Sequence, residues 1–307
     1  MPSPVEQLSS TLLKEKQIQL HVKRDDLIHP ELTGNKWRKL KYNLLQAKRE
    51  NKETLLTFGG AYSNHIHAVA SAGKLLGFKT IGVIRGERAP ILSPTLEYVQ
   101  SCGMSLHFVT RQDYRKKSEL DFIKGLKNKL GDFYNIPEGG TNDLAIKGVQ
   151  EIIDELDEAV PERDYVCTAC GTGGTVAGLI KGENLGRSKQ NAKTLGFPVL
   201  KNADWMYGDV LGLIKESEVK NWSLVLDYHF GGYAKYNKTL IDFIHDFKRE
   251  FSIQLEPIYT AKLFYGIFDL VDKDFFPKGS TIVAIHTGGL QGLKGIKELA
   301  KSNDDNE

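Results

Sequence analysis

One lysine lies where a cation is electrostatically disfavoured, at the start of a predicted helix. Between Thr33 and Glu50 apolar residues recur at roughly helical spacing, and Asn35 is a plausible N-cap. Lys36 follows directly, at the positive end of the helix dipole. A lysine has a reason to lie there if it is neutral, because a neutral amine can form a Schiff base. Lys36 is therefore a candidate for covalent chemistry, and the alternative is an exposed first-turn lysine.

A glycine-rich segment later in the chain is suited to binding a phosphate group. The segment CGTGGTVAG follows a predicted strand and opens a helix, so that backbone N–H groups and the helix N-terminus can bind an anion. Its candidate binding residues are Gly171, Thr172, Gly173, Gly174 and Thr175. Val176 occupies a position where the dinucleotide fingerprint needs a small residue, and no P-loop lysine follows. The segment therefore indicates a phosphorylated cofactor of another kind, with a plain glycine turn as the alternative.

Three polar residues open another predicted helix, in the segment GGAYSNHIHAVASAG. Ser63, Asn64 and His65 lie just past a predicted strand, where backbone N–H groups could receive a substrate carboxylate. Ser63 could act as nucleophile or proton relay, poised by His65. Taken singly, Ser63 is better explained as a helix cap and His65 as a hydrogen-bonded polar side chain. His65 and His67 do not face each other on a helix, so we expect no metal site there.

Composition and charge are those of an ordinary globular protein. The chain is 40% hydrophobic and 26% charged, and its net charge of +2 gives no field that favours nucleic acid or an anionic membrane. No signal peptide is evident, and no apolar run reaches membrane-spanning length. Cys167 and Cys170 form C-x-x-C without a second pair for zinc, and an odd cysteine count argues against a disulfide framework. We expect a cytoplasmic protein with no nucleic-acid or membrane partner.

The elements that position these residues alternate between strand and helix. From Thr54 onward, short apolar runs precede helical patterns repeatedly, which predicts an α/β fold of open twisted parallel sheets with helices on both faces. Four strand-to-helix junctions are glycine-rich: 59–60, 139–140, 171–174 and 288–289. Because ligands bind at the carboxyl ends of strands in such sheets, we expect these junctions to share a ligand crevice. The segment SLVLDYHFGGY is interpreted as a further strand leading into a helix.

Together the motifs resemble the pyridoxal-phosphate enzymes of fold type II, in the group of 1-aminocyclopropane-1-carboxylate deaminase and D-cysteine desulfhydrase. The similarity extends over nearly the whole chain and is carried, in the family's order, by KRDDL, GNKWRKL, GGAYSNH, IPEGGTN, GTGGT, GGYAKYN, YTAK and IHTGG. The resemblance implies a tryptophan synthase β-like fold, with a larger cofactor-binding domain of 1–45 and 142–307 and an inserted smaller α/β domain of 46–141. It also implies a homodimer.

The resemblance assigns four features to the cofactor, pyridoxal 5′-phosphate. Lys36 would hold it as a Schiff base, and Asn64 would hydrogen-bond its 3′-oxygen. The segment from Gly171 to Thr175 would hold its phosphate. Thr287, in the HTGG stretch, would be a weak partner of the pyridine nitrogen.

The resemblance also assigns residues to a small amino-acid substrate. Ser63, with Asn64 and His65, would receive the substrate carboxylate or share its proton transfers. Tyr233, in GGYAKYN, and Tyr259, in IYTAK, match the family's active-site tyrosines. We expect Tyr259 to lie close to the cofactor ring.

Two threonines favour one reaction of the family over another. The deaminases usually carry Glu directly after the tyrosine matched by Tyr259 and Leu in the HTGG stretch, where this chain has Thr260 and Thr287. A neutral hydroxyl leaves a weaker electron sink, sufficient for elimination of a thiolate. We therefore expect α,β-elimination of D-cysteine to pyruvate, sulfide and ammonia. The alternatives are deamination of 1-aminocyclopropane-1-carboxylate to 2-oxobutyrate, another small D-amino acid, and a non-catalytic amino-acid-binding protein. The segment 189–219 matches the family poorly, and we expect it to shape the substrate mouth.

Overall fold

A computed structural model of the protein describes residues 2–32, 34–184, 191–215 and 219–295. Within these ranges the strands are β1 (Val5–Leu8), β2 (Gln19–Lys23), β3 (Thr54–Gly59), β4 (Lys79–Arg85), β5 (Ser105–Val109), β6 (Tyr134–Ile136), β7 (Tyr165–Cys170), β8 (Lys193–Pro198), β9 (Trp222–Leu224) and β10 (Thr281–Ile285).

The helices are α1 (Thr11–Glu15), α2 (Asn35–Arg49), α3 (Asn64–Leu76), α4 (Pro94–Ser101), α5 (Arg111–Tyr114), α6 (Leu120–Leu130), α7 (Asp143–Ala159), α8 (Gly174–Asn184), α9 (Met206–Ile214), α10 (Lys238–Phe251) and α11 (Thr260–Asp272). Short 3-10 helices are found at Asp25–Leu27, Glu138–Gly140 and Leu290–Gly295. Among the described residues, the helices lack the combination of length and apolar character that a membrane span requires.

The strands form two sheets. The larger has the order β1-β2-β10-β7-β8-β9, and the smaller has the order β5-β4-β3-β6. In the described pairs, β1 lies antiparallel to β2, with Val5 opposite Lys23, and the other neighbours are parallel. Parallel neighbours require crossover connections, which the helices supply. The α/β fold with parallel sheets and helices on both faces is therefore confirmed.

The chain divides into two compact units inside α2. The units are Met1–Asn35 with Ile146–Leu290, which contains the six-stranded sheet, and Lys36–Ala145 with Gln291–Glu307, which contains the four-stranded sheet. The predicted boundary between 45 and 46 lies later in α2. The division into a cofactor-binding domain and an inserted domain stays a prediction.

The core of the first unit lies between its sheet and the helices α7 and α8. Val149 of α7 packs with Leu179 of α8, and both pack with Val166 of β7 and Val283 of β10. A Cβ atom at Gly178 would lie 2.5 Å from the Val149 side chain, so this glycine lets α8 approach α7 closely. The packing fixes α8 behind the carboxyl end of β7, where the glycine-rich segment lies.

The core of the second unit is formed by its sheet and α6. Leu56 and Phe58 of β3 pack with Val83 of β4, Leu126 of α6 and Phe133. Most of the α3 side chains are buried as well. Because α3 follows β3 after a short turn, its N-terminus is fixed at the carboxyl end of a central strand.

Two regions differ from the sequence interpretation. The segment 191–215, for which no element was predicted, forms β8 and α9, whereas 189–190 and 216–218 lie outside the described residues. In the segment SLVLDYHFGGY, which was predicted to be one long strand, only the first two residues belong to a strand, β9. Positive φ angles at Phe230, Gly231 and Gly232 turn the chain beyond it, so extended structure ends early.

Candidate active site

The residues that precede Lys36 are held by two strand ends of the first unit. Gly34 N–H donates to Asp25 O at 2.9 Å, and Asn35 N–H donates to Thr287 O at 3.3 Å. Gly34 has φ +70°, and a Cβ atom there would lie 1.8 Å from Thr287 O. Only glycine fits this close approach. The position of Lys36 is therefore set by the hydrogen bonds that hold the backbone of Gly34 and Asn35.

Lys36 is the second residue of α2, since the helix begins at Asn35 itself rather than after it. Its side chain is partly buried. Loss of hydration disfavours the charged form and lowers the pKa of the Lys36 amine to about 8. At pH 7 about a tenth of such an amine is neutral. Lys36 thus has the chemical property for which the sequence singled it out.

A second lysine, Lys39, lies one turn further along α2 and is differently engaged. It is 2% exposed, and its Nζ donates to Gly139 O and Thr141 Oγ1, both at 3.3 Å. These bonds tie α2 to the glycine-rich junction after β6 within the second unit. Lys39 therefore has a structural role, whereas the contacts described for Lys36 do not engage its amine.

The glycine-rich segment after β7 has the backbone of an anion-binding loop. Gly173 has φ +74°, and α8 begins at the next residue. Thr175 is 5% exposed, and its Oγ1 accepts a hydrogen bond of 2.9 Å from Asn35 Nδ2. That bond leaves the Thr175 hydroxyl hydrogen free to donate, and the described residues provide no acceptor for it. It also joins the segment to the residue directly before Lys36.

The two predicted active-site tyrosines, Tyr233 and Tyr259, contact each other in the first unit. The rings of Tyr233 and Tyr259 meet edge-to-face with centroids 6.1 Å apart. A Cβ atom at Gly171 would lie 3.2 Å from Tyr259 Cε1, so the Tyr259 ring packs over the start of the glycine-rich segment. Tyr233 is 44% exposed, whereas Tyr259 is partly buried. Tyr259 therefore borders the segment and Tyr233 borders Tyr259, and the placement of both near a bound cofactor stays a prediction.

A buried carboxylate caps the helix that follows Tyr259. Glu256 Oε1 accepts from the backbone N–H of Tyr259 and Thr260, at 2.9 and 2.6 Å. Burial raises the pKa of Glu256, while these hydrogen bonds oppose the rise. Thr260 is 0% exposed, and its Oγ1 is bonded to the Glu256 backbone. Thr260 is thus turned into the protein, and its use as a marker of the reaction is weaker than the sequence comparison implies.

At the start of α3, Ser63 is the helix cap. Its Oγ accepts from Ile66 N–H at 3.2 Å, which is the structural alternative that the sequence left open. The backbone N–H groups of Asn64 and His65 have no acceptor among the described residues. Two unpaired N–H groups at a helix N-terminus suit a carboxylate. The receipt of a substrate carboxylate stays a prediction that this geometry fits.

His65 is directed into the second unit rather than toward Ser63. It is 2% exposed, and its Nε2 lies 2.7 Å from Thr57 Oγ1. Thr57 donates its hydroxyl hydrogen to Ile136 O, so it accepts from His65. Burial, followed by the charges of Lys36 and Lys39, lowers the pKa of His65 well below its usual value. A neutral His65 therefore supports the backbone of this site, and its hydrogen bond to Thr57 takes the place of the predicted pairing with Ser63.

Asn64 has a partner that the sequence reasoning missed. Gln291 Nε2 donates to Asn64 Oδ1 at 2.9 Å. With Oδ1 satisfied, the Asn64 NH₂ group is left to donate to another acceptor, as an oxygen of a cofactor would require. Gln291 lies two residues after the HTGG stretch, where no local pattern marks it as a site residue.

The site residues fall into two sets, one in each unit, and the chain passes from the first unit to the second between Asn35 and Lys36. In the first unit, Asn35 bonds both Thr287 O and Thr175, which brings the HTGG stretch and the 171–175 segment together. In the second unit, the junctions 59–60 and 139–140 follow neighbouring strands β3 and β6. A crevice shared by all four junctions stays a prediction.

The residues present fit pyridoxal phosphate. The cofactor needs an amine that deprotonates readily, a phosphate cradle and a donor for its 3′-oxygen. Lys36, the 171–175 segment and Asn64 have these properties, and the Gly173 turn and the free Thr175 hydroxyl hydrogen are the particular signs of a cradle. Thr287 is partly exposed. It stays the predicted partner of the pyridine nitrogen.

Comparison with known proteins points the same way. Residues 2–288 match the family described as pyridoxal-phosphate dependent enzyme. The chain is 32% identical over 297 residues, covering 90% of this chain and 73% of the relative, to the bifunctional D-cysteine desulfhydrase/1-aminocyclopropane-1-carboxylate deaminase of Arabidopsis thaliana. It is 33% identical over 307 residues, covering 95% of each chain, to a putative 1-aminocyclopropane-1-carboxylate deaminase of Thermotoga maritima.

A solved structure shows the same fold. The crystal structure of an ACC deaminase homologue superposes with a TM-score of 0.84 at 29% identity, covering 98% of this chain and 94% of that one. A threonine deaminase isoform from Solanum lycopersicum, at 19% identity and TM-score 0.69, shares the fold.

Proposed function

We propose that this chain, which belongs to the family of pyridoxal-phosphate dependent enzymes, catalyses the α,β-elimination of D-cysteine. The chain is an enzyme of the deaminase and desulfhydrase type, and its cofactor is pyridoxal phosphate. The proposed reaction consumes D-cysteine and water and yields pyruvate, hydrogen sulfide and ammonia. The observation that supports it most is the hydrogen bond that joins the glycine-rich segment to Asn35, next to a lysine whose pKa is lowered to about 8.

The first part of the mechanism is binding. The bound cofactor supplies an electron sink that stabilises negative charge at the substrate α-carbon. The 171–175 segment would hold its phosphate, and the Asn64 NH₂ group would donate to its 3′-oxygen. The free N–H groups of Asn64 and His65 would hold the substrate carboxylate, with Ser63 capping the helix that presents them.

The second part is proton transfer. Lys36 Nζ, whose pKa is lowered to about 8, would be the base that takes the substrate α-proton at neutral pH. Tyr259 packs over the start of the glycine-rich segment and contacts Tyr233, and the two rings would shield the reacting atoms from water. Thiolate departs from the β-carbon, so charge at the α-carbon is short-lived. A neutral partner of the pyridine nitrogen such as Thr287 is sufficient for this.

Deamination of 1-aminocyclopropane-1-carboxylate is the second candidate. The name of the Thermotoga maritima relative favours it, whereas the name of the Arabidopsis thaliana relative includes both reactions. A threonine at position 287 favours elimination instead, because its neutral hydroxyl would give a weaker electron sink for opening the cyclopropane ring. The same assay separates the two.

The test is a keto-acid and sulfide assay on the holoenzyme with D-cysteine, L-cysteine and 1-aminocyclopropane-1-carboxylate in parallel. We expect pyruvate and sulfide in equal amounts from D-cysteine and little product from the other two. Lys36→Ala serves as the control for catalysis outside the site. Production of 2-oxobutyrate from 1-aminocyclopropane-1-carboxylate at a higher kcat/KM than any sulfide release would replace the proposed reaction by the second candidate.

We also propose a cytoplasmic homodimer. The cysteines Cys102, Cys167 and Cys170 are free, which fits a reducing compartment. The homodimer rests on the family resemblance. Sedimentation equilibrium of the purified chain, at 34.4 kDa per copy, tests it directly.

A further inference from the structure

The loop that carries Tyr233 has a strained backbone. Here the Tyr233 loop means residues 228–234. Positive φ angles are found within it at Phe230 (+51°), Gly231 (+91°), Gly232 (+116°) and Ala234 (+56°). Non-glycine residues adopt such angles at a cost, so the conformation persists only where the surroundings impose it.

A buried lysine imposes this conformation through hydrogen bonds to the backbone of the loop. Lys262, in the first turn of α11, is 1% exposed. Its Nζ donates to His229 O at 2.9 Å and to Gly232 O at 2.8 Å. A buried ammonium is costly unless it is hydrogen-bonded, and here both acceptors are backbone carbonyls of the Tyr233 loop. The second of them belongs to the residue directly before Tyr233.

Two further residues on the same face of α11 hold the loop. The Tyr265 ring packs edge-to-face on Phe230 with centroids 5.0 Å apart. Asp269 Oδ2 accepts from Tyr228 Oη at 2.6 Å. With Lys262, these anchors recur three and four residues apart, which is the spacing of one helix face.

The helix that anchors the loop also carries the other active-site tyrosine. Tyr259 directly precedes α11, three residues before Lys262, and Glu256 caps this helix start. The ring of Tyr259 contacts Tyr233 and covers Gly171. Lys262 therefore links the backbone of the Tyr233 loop to the helix that begins directly after Tyr259.

We propose that Lys262 is a positioning residue that fixes Tyr233 against Tyr259 by holding the carbonyl groups of His229 and Gly232. It acts through the loop and does not touch the substrate. The consequence for catalysis rests on the proposed function, in which Tyr233 borders the reacting atoms. The positioning itself does not depend on that function.

The test places a fluorine probe on the tyrosine. 3-Fluorotyrosine at position 233 is observed by ¹⁹F NMR in the holoenzyme, in the parent and in Lys262→Met. We expect Lys262→Met to shift or broaden the resonance. Lys238→Met removes a lysine from an exposed ion pair with Asp242 and is the matched control, for which we expect the parent spectrum. If Lys262→Met does not fold, Lys262→Gln is used with the same expectation.

A kinetic cycle gives the second readout. We expect Lys262→Met to lower kcat/KM about tenfold, and to have no further effect in the Tyr233→Ala background, because the ring it positions is gone. A merely structural role would give additive effects. An unchanged ¹⁹F resonance in a folded Lys262 variant would overturn the proposal. If Tyr233→Ala leaves turnover unchanged, the role of Tyr233 in the proposed function fails, and the resonance still decides the positioning.

Discussion

At the scale of single residues, the lowered pKa of Lys36 comes from where its neighbours hold it. A lysine at a helix start feels the positive end of the dipole, and partial burial removes its hydration. Both effects favour the neutral amine. The glycine at position 34 and the amide at position 35 fix that location through Thr287 and Thr175.

The lowered pKa predicts how cofactor loading depends on pH. Only the neutral amine attacks an aldehyde, so the rate at which apoenzyme takes up pyridoxal phosphate should rise from pH 7 to 9 with a midpoint of about 8. The rate is followed by the visible absorbance of the lysine-bound cofactor. A rate that rises only near pH 10, as for an ordinary lysine, would contradict the assignment. Lys36→Arg should show no visible band and serves as the control.

The close approach of Gly34 predicts an unusually costly alanine substitution. In Gly34→Ala the new Cβ would overlap Thr287 O, in addition to the strain at φ +70°. Gly77 has φ +77° with nothing within 4 Å of its Cβ position, so Gly77→Ala isolates the backbone strain, worth about 1–2 kcal/mol. We expect Gly34→Ala to lose more unfolding free energy than Gly77→Ala and to bind the cofactor at least about tenfold more weakly. Equal losses in urea unfolding would show that the contact with Thr287 O does not constrain the site.

At the scale of elements, the start of α11 is organised by buried polar groups. Glu256 accepts from three backbone N–H groups, those of Ile258, Tyr259 and Thr260. The Thr260 hydroxyl bonds back to the Glu256 backbone. This cap fixes Tyr259 as the last residue before the helix.

The burial of Thr260 predicts what its replacement does. Thr260→Val keeps the shape and loses the hydroxyl bonds, which should cost about 1–2 kcal/mol of unfolding free energy. Thr260→Glu buries a second carboxylate beside Glu256 and should cost clearly more, by about 3 kcal/mol or above. Urea unfolding of both variants measures the difference. A Thr260→Glu protein as stable as Thr260→Val would mean that this side chain can turn outward, and would restore Thr260 as a marker of the reaction.

The elements that could be predicted from the sequence are those with strong local signals. Apolar runs bounded by glycine predicted β3, β7 and β10, and the helical patterns after β3 and β7 predicted α3 and α8. The second half of the helical pattern after β10 lies outside the described residues. The strand β8 and helix α9 were missed because they lie in a segment without recognised motifs. The Tyr233 loop was read as part of a strand because its shape depends on Lys262, which is 30 residues away from Gly232 in sequence.

At the scale of the whole molecule, the sequence predicted the kind of site better than its supporting contacts. The lysine, the glycine-rich segment and the two tyrosines were recognised from the sequence as candidates for catalysis or cofactor binding. Their supports were not, because Asn35 to Thr175 and Gln291 to Asn64 are long-range hydrogen bonds without a local pattern. The interpretation of His65 as a partner of Ser63 failed for the same reason, since its bond to Thr57 crosses from helix to strand.

The family membership makes one question central, namely which lysine carries the cofactor. Lys36, Lys39 and Lys262 are all removed from water to some degree, and Lys39 and Lys262 donate to backbone carbonyls. Borohydride reduction of the holoenzyme fixes the cofactor on its lysine, and peptide mass mapping then locates it. We predict the added mass on Lys36 alone. The mass on Lys39 or Lys262 would contradict the account.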